Sequence, residues 1–161
     1  MIWKEWIDNW SMSSLKIKTS FLETEWKPKD ADKDAAWELY IELLTRITTQ
    51  PLPDEYGDEK TTLDSIYKIF GLTREAIKKH GRSCNEFAKI AIVILNQRIR
   101  PFTAKWHKEF VEGSFDDENK LILFRIELKE LQNTLKKYTK MLADMSGVED
   151  LTDLENISGD T

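Results

Sequence analysis

A short stretch around Pro101 concentrates the side chains most able to bind an anion. Five potential cations fall within eleven residues, namely Arg98, Arg100, Lys105, His107 and Lys108. Arginine and lysine bind phosphates and carboxylates, and histidine exchanges protons near neutral pH. Together with Trp106, this basic segment (residues 98–108) is predicted to contact a partner molecule. The simplest alternative is a set of solvated charges at a bend in the chain.

Arg100 and His107 stand seven residues apart. This Arg-x6-His spacing resembles the motif of helical ribonucleases of the HEPN class, and the resemblance implies an Arg and a His that act on an RNA phosphate at a dimer interface. Arginine would stabilise the charged phosphorane while histidine transfers a proton. The chain departs from that pattern at Pro101, where the class carries a polar residue. A ribonuclease using Arg100 and His107 is therefore the alternative hypothesis.

Trp3, Trp6 and Trp10 would share one face of a helix at the start of the chain, and five of the six tryptophans lie in the first 37 residues. Tryptophan is enriched in protein interfaces, so this face is predicted to bind a partner protein. The alternative is that the segment packs back on the bundle, because terminal elements dock or fray. Lys4 is the only base among the first ten residues, so binding of this segment to a membrane surface has no electrostatic support.

No motif for a metal, a cofactor or catalysis stands out. His80 and Cys84 are four residues apart, but no further cysteine or histidine joins them, and a zinc site needs about four ligands. The chain has no glycine-rich phosphate loop, no nucleophile elbow and no His-Glu-x-x-His motif. We therefore predict no metal, no cofactor and no catalytic residue.

The net charge of −5 is unevenly distributed. Five acids and no base lie between residues 148 and 161, so residues 1–147 are neutral overall. This balance gives nucleic-acid binding no support beyond the local basic segment. We predict a single helical domain over residues 1–147 and a disordered acidic tail over residues 148–161. The single cysteine and the lack of a long apolar run predict a cytoplasmic protein without a membrane span.

Helical periodicity dominates the chain and predicts an all-α bundle of about five helices. Gly71 is predicted to close one helix and Gly81 the next, and Pro101 to break or kink a later one. The alternation Leu15, Ile17, Thr19, Phe21 predicts a short N-terminal strand.

The last helix has the clearest pattern in the chain. A heptad seam runs over 117–146 through Leu121, Phe124, Leu128, Leu131, Leu135, Tyr138, Leu142 and Met145. At the standard rise this helix is roughly 45 Å long. Because this exceeds the needs of a compact domain, we predict a homodimer paired through the 117–146 helix.

Two strings of sequence, AAWELYIELLTRITTQPLPDE (35–55) and RPFTAKWH (100–107), resemble a family of small uncharacterised bacterial proteins loosely associated with phage-defence loci. The resemblance implies a bacterial accessory role and no chemistry. The sequence therefore favours a non-enzymatic protein-interaction module, as a subunit of a bacterial defence system, over the ribonuclease.

Overall fold

The computed structural model describes residues 1–55 and 57–154, and it confirms the all-α prediction. Helix accounts for 73% of the structure. Within the described ranges, five helices have ten or more residues and two are shorter. They are α1 (Trp3–Asn9), α2 (Thr19–Leu22), α3 (Asp30–Leu44), α4 (Glu59–His80), α5 (Asn85–Ile94), α6 (Arg100–Val111) and α7 (Glu118–Ser146).

The helix boundary predicted at Gly71 is wrong. Helix α4 continues through Gly71 to His80 and ends at Gly81, whose φ of 71° favours glycine. Glycine inside a helix costs about 1 kcal/mol relative to alanine, which weakens a helix without ending it. Packing of the buried residues on both sides of Gly71, including Ile66, Phe70 and Thr73, outweighs that cost.

Pro101 does not interrupt the helical path. The chain passes from α5 through a π turn, Leu95–Ile99, directly into α6, and the N–H of Arg100 donates to the carbonyl of Leu95, five residues back. Pro101 follows directly as the second residue of α6, and because it has no N–H, it makes no hydrogen bond to the preceding turn. Of the predicted break or kink, the break does not occur: the helix continues, with the π turn as its local irregularity.

The predicted N-terminal strand is also wrong, because no strand forms anywhere in the described part of the chain. Residues 15–18 are irregular and Thr19–Leu22 is the short helix α2. The Gln97 amide takes the place of a neighbouring strand: its oxygen accepts from the Lys16 N–H at 2.8 Å, and its nitrogen donates to the Lys16 carbonyl at 2.6 Å. A side chain of the π turn thus satisfies the backbone that a strand would have paired.

Asp32 joins the beginnings of two helices. Its side chain is fully buried. One carboxylate oxygen accepts from the N–H of Lys29 at 2.7 Å, at the start of α3, and the other accepts from the N–H of Phe87 at 2.9 Å, in the first turn of α5. Because the first N–H groups of a helix lack partners within the helix, one carboxylate here satisfies donors from two elements.

Helix α7 matches its predicted bounds closely. Asp117 caps it by accepting from the N–H of Asn119 at 2.9 Å, and Gly147 ends it with a φ of 72°. The heptad seam is buried except for half-buried Leu121, and α3 packs along the helix. The seam therefore serves the chain's own core, and the predicted homodimer would have to use the other face of α7.

No helix within the described ranges is both long and apolar enough to cross a membrane.

Residues 148–154 turn back and pack against α3 and α7. The N–H of Leu151 donates to the Tyr40 hydroxyl at 2.7 Å, and the Lys140 ammonium lies 2.6 Å from a carboxylate oxygen of Asp153. Thr152 is only 5% exposed. These contacts differ from the disorder predicted for this part of the tail. Asp153 pairs with a lysine, and Asp150 accepts from the Thr152 hydroxyl. Residues 155–161 of the predicted tail lie outside the described residues.

Candidate functional site

The cations of the basic segment do not form one patch. Residues seven apart lie on the same side of a helix, and the pairs divide accordingly. Arg98 and Lys105 extend towards the α7 side of the helix, whereas Arg100 and His107 extend towards α4. Lys108 is exposed and has no ion pair with any described residue.

The pair towards α7 already has partners within the chain. Arg98 donates to the Ser14 hydroxyl and Lys105 donates to the Glu127 carboxylate. Trp106 is fully buried and its ring N–H donates to the other Glu127 oxygen at 2.7 Å. Arg98, Lys105 and Glu127 line a groove of about 400 Å³ between α6 and α7. Lys105 is thus paired with Glu127, whereas Arg98 bonds a neutral hydroxyl and has no acid partner among the described residues.

The pair towards α4 is held by aromatic rings. The Arg100 guanidinium lies 4.8 Å from the centre of the Phe70 ring, and the His107 ring meets Tyr67 edge-on with centroids 5.0 Å apart. The His107 Nε2 atom is 3.8 Å from a carboxylate oxygen of Asp64. Seven residues of helix rise about 10 Å, and each member contacts a different α4 side chain. Arg100 and His107 therefore do not converge on a common point within one chain.

The N-terminal tryptophans pack on the bundle, which is the alternative that the sequence left open to an exposed interface. Trp3 and Trp6 are 0% and 1% exposed, and Trp10 is half-buried. Their indole N–H groups reach distant carboxylates: Trp3 donates to Glu86 at 3.0 Å and Trp6 donates to Asp144 at 2.7 Å. Trp3 and Trp6 are thus core residues, because paired indoles are stable inside a core, and of the predicted aromatic face only Trp10 retains some accessible surface.

A second groove lies on the other side of α7 and was not predicted. It encloses about 520 Å³ between α7 and the loop that follows α3. Ile122 and Ile126 are 59% and 54% exposed there. We call it the Ile126 groove, and its lining includes Pro51, Leu52, Ile122, Ile126, Lys129 and Lys136. Two half-exposed isoleucines opposite apolar loop residues form an accessible apolar surface.

Arg125 shapes one wall of the Ile126 groove by holding the loop. Its guanidinium donates to the carbonyls of Leu52 and Pro53, each at 3.2 Å, and of Gly57 at 3.3 Å. The Nε atom also donates to the Glu59 carboxylate at 2.9 Å, at the start of α4. The planar guanidinium can bond several acceptors at once, so one side chain fastens the loop to α7 and α4.

One stripe of α7 connects the apolar and basic parts of this groove. Ile122, Ile126, Lys129 and Lys136 recur at helical spacings of three, four and seven. Neither lysine forms an ion pair with a described residue. The signal in the sequence was the pair Ile122 and Ile126, which are apolar but lie off the heptad seam. Residues off such a seam normally face solvent, so their apolar character marks a contact surface.

The remaining chemical candidates have structural partners. His80 Nε2 lies 3.0 Å from a carboxylate oxygen of Glu38. Cys84 is fully buried, and its thiol lies 3.1 Å from the Gly81 carbonyl. Burial, together with nearby Asp32, raises the pKa of the Cys84 thiol, which keeps it protonated and unreactive. Among the described residues, no three His, Cys, Asp or Glu side chains are placed to hold a metal.

Comparisons with protein-family models, curated proteins and solved structures find no match for this chain. The function must therefore be argued from geometry. The Ile126 groove offers apolar surface next to unpaired lysines, which suits a protein surface bearing apolar and acidic groups. Arg100 and His107 offer charge and proton transfer at separate places on α6.

Proposed function

We propose that this chain is a non-enzymatic protein-interaction module that binds a partner protein through the Ile126 groove. The observation that carries the proposal is the exposure of Ile122 and Ile126 beside Leu52, on a helix whose other large apolar residues mostly face the core. Most exposed apolar residues occur singly and need no explanation. Here two lie one turn apart in a concave site, as partner contacts commonly do.

The energetics support a contact of modest strength. Fully burying an isoleucine side chain contributes about 1.5–3 kcal/mol. Since Ile122 and Ile126 are a little over half exposed, covering both would contribute about 2–3 kcal/mol in total. Lys129 and Lys136 would add attraction to an acidic partner and speed its approach. Such a site suits a reversible adaptor.

The basic segment supplies a second candidate contact for the same partner. Lys108 is exposed and has no ion pair with a described residue, and Arg100 remains exposed above Phe70. The resemblance of residues 35–55 and 100–107 to a bacterial family supports an accessory subunit of a defence system. The partner would be another protein of that system.

Site-specific photo-crosslinking tests the proposal. A photoreactive phenylalanine analogue replaces Ile126 in the full-length protein, expressed in the cells that normally make it. The control places the same analogue at Ile92, which is 47% exposed on α5 and does not line the groove. We expect a discrete covalent adduct only from position 126, and its loss when Ile122→Asp is added. Equal adducts from both positions, or none from position 126, would refute the proposal.

The ribonuclease alternative rests on the exposed edge of α6 and makes a separate prediction. His107 lies along that edge beside Tyr67, which is 55% exposed, and Arg100 lies about two turns away, above Phe70. If two copies faced each other there, the double variant Arg100→Ala, His107→Ala should abolish RNA cleavage. The interaction module predicts that purified wild-type protein and the double variant show the same background cleavage.

A further inference from the structure

Helix α3 also carries an exposed apolar ridge. Trp37 and Ile41, which lie one turn apart, are 49% and 37% exposed. Beside them a groove of about 370 Å³ runs between α3 and α4, and Leu72 and Ala76 line it as well. We call the two exposed residues the Trp37 ridge and the depression the Trp37 groove. Tryptophan is enriched among the residues that contribute most to protein interfaces, so a half-exposed indole beside a concave surface indicates a contact site.

The Trp37 groove and the Ile126 groove carry opposite charge. Of the charged residues that line the Trp37 groove, three are acids and one is a base: Glu38, Glu42, Glu75 and Lys79. Of those that line the Ile126 groove, three are bases and one is an acid: Arg125, Lys129, Lys136 and Asp54. Glu75 on the first surface, and Lys129 and Lys136 on the second, have no ion pair with a described residue. Their charges are therefore available to a second molecule.

The apolar residues of the two surfaces have the same spacing. Trp37 and Ile41 are four residues apart on α3, as Ile122 and Ile126 are on α7. Side chains four residues apart form a ridge along a helix, and such ridges pack into the grooves of a second helix. Within one chain, α3 and α7 pack against each other through their buried residues. The two exposed ridges can therefore meet only between two molecules.

We propose that the Trp37 ridge of one molecule occupies the Ile126 groove of a second copy of this chain when the partner protein is absent. The inference rests on the proposed function, because it takes the Ile126 groove to be a protein-binding site, and it adds the occupant. Since the two contacting surfaces differ, the contact is heterologous, and further copies can add until a ring closes. A partner protein that enters the groove displaces the second copy, so self-association and partner binding exclude each other.

Sedimentation velocity of the purified full-length chain across the micromolar range tests the proposal, because no other protein is present. We expect the wild type to associate. Trp37→Ala and Ile126→Asp should each raise the apparent dissociation constant at least about tenfold, since each removes a central apolar contact. The matched controls are Tyr67→Ala and Ile92→Asp, which change similarly exposed residues outside both grooves and should alter the constant less than about twofold.

Mixing the two interface variants identifies which surfaces meet. The Ile126→Asp chain keeps an intact Trp37 ridge, and the Trp37→Ala chain keeps an intact Ile126 groove. Each variant alone should be monomeric at a concentration at which the wild type associates. Their equimolar mixture should form a dimer and no larger species, because each pair of chains retains one complementary contact. A mixture that contains only monomers while the wild type associates would overturn the proposal.

Charge reversal tests the electrostatic match. Lys129→Glu and Lys136→Glu together should weaken association about tenfold, because they turn attraction to the Trp37 groove into repulsion. The control, Lys4→Glu and Lys108→Glu, changes the net charge equally at exposed lysines outside both grooves and should have little effect. Equal effects of the two pairs would contradict the match of charge.

A wild-type chain that stays monomeric at every concentration would overturn this inference. That result is distinguishable from failure of the proposed function, because position 126 would still form its covalent adduct with a different protein in cells. An adduct at position 126 that contains peptides of this chain alone would instead support the second copy as occupant.

Discussion

Replacing Arg125 by alanine should loosen the wall of the Ile126 groove before it affects the rest of the fold. The guanidinium bonds three carbonyls of the loop after α3 and the Glu59 carboxylate. Leu52 and Gly57 are held to α7 through this side chain. Without it, the loop keeps its packing, its short-range hydrogen bonds and, nearer α3, the bonds that the Gln132 amide of α7 donates to the carbonyls of Ile47 and Gln50.

The size of the effect follows from the exposure of the groups. The Arg125 and Glu59 side chains are 22% and 16% exposed, so their ion pair is partly desolvated and contributes about 1 kcal/mol. Each hydrogen bond to a carbonyl contributes about 0.5–1 kcal/mol, because water can replace it once the loop opens. The expected loss in unfolding free energy is about 2–4 kcal/mol in sum. For a domain of this size that lowers the melting temperature by roughly 5–12 °C.

Urea unfolding and amide hydrogen exchange would measure both consequences. We expect Arg125→Ala to lower the unfolding free energy as stated and to speed exchange in the loop more than in α3 or α7. Arg125→Lys should fall between wild type and alanine, since an ammonium can pair with Glu59 but cannot bond all three carbonyls. Lys129→Ala, one turn away and exposed, should change stability by less than about 0.5 kcal/mol. If Arg125→Ala cost no more than Lys129→Ala, the loop would be held instead by apolar packing and by the Gln132 amide.

Three further changes test other parts of the structure. Asp32→Ala should cost about 3 kcal/mol in urea unfolding, because it removes two helix-start bonds and leaves the buried Phe87 N–H without its acceptor. Gly57→Ala should cost about 1–3 kcal/mol and loosen the same loop, since an added Cβ would lie 2.6 Å from the Pro53 carbonyl oxygen. Burial opposes ionisation of Glu38, but hydrogen bonds from neighbouring basic side chains outweigh it and lower the pKa of its carboxyl below 4.5. Its contribution is thus present above pH 4.5 and lost as pH falls through the lowered pKa, so Glu38→Gln should reduce the acid sensitivity of the melting temperature.

Each of these changes has a matched control. Asp34→Ala removes an exposed acid from the same helix and should leave stability nearly unchanged. Gly71→Ala adds a Cβ in open space inside α4 and should stabilise by about 0.5–1 kcal/mol. Glu130→Gln removes the charge of an exposed acid on α7 and should change stability at neutral pH by less than about 0.5 kcal/mol. A control that shifted as much as its test variant would contradict the corresponding argument.

Local sequence patterns predicted those elements whose stabilising contacts are themselves local. The heptad seam predicted the bounds of α7 to within one residue, because Asp117 caps the start of the helix and Gly147 ends it, directly beside the pattern. The predicted end at Gly71 failed because packing along α4 outweighs one unfavourable glycine. The strand prediction failed because the Lys16 backbone bonds to a side chain, that of Gln97, which lies 81 residues away in the sequence.

The candidate site was harder to predict because contacts between residues far apart in the sequence define it. The five cations of the basic segment are adjacent in sequence, but Ser14, Glu127 and Phe70 decide what each one does. The tryptophans at 3 and 6 were ambiguous between core and interface until their acceptors were known. Only Ile122 and Ile126 carried a local signal of the groove, and their surroundings depend on the loop held by Arg125.

The π turn accommodates one residue more than a regular α-helical turn, and the helix continues from α5 into α6 on both sides of it. Losing one residue between 95 and 99 would allow the turn to close to the regular α-helical hydrogen-bond pattern, so the faces of α6 would keep their directions. The Gln97 amide, which belongs to the turn and bonds the Lys16 backbone, would be displaced. One lost codon would therefore release the N-terminal segment while leaving the surface charge of α6 where it is.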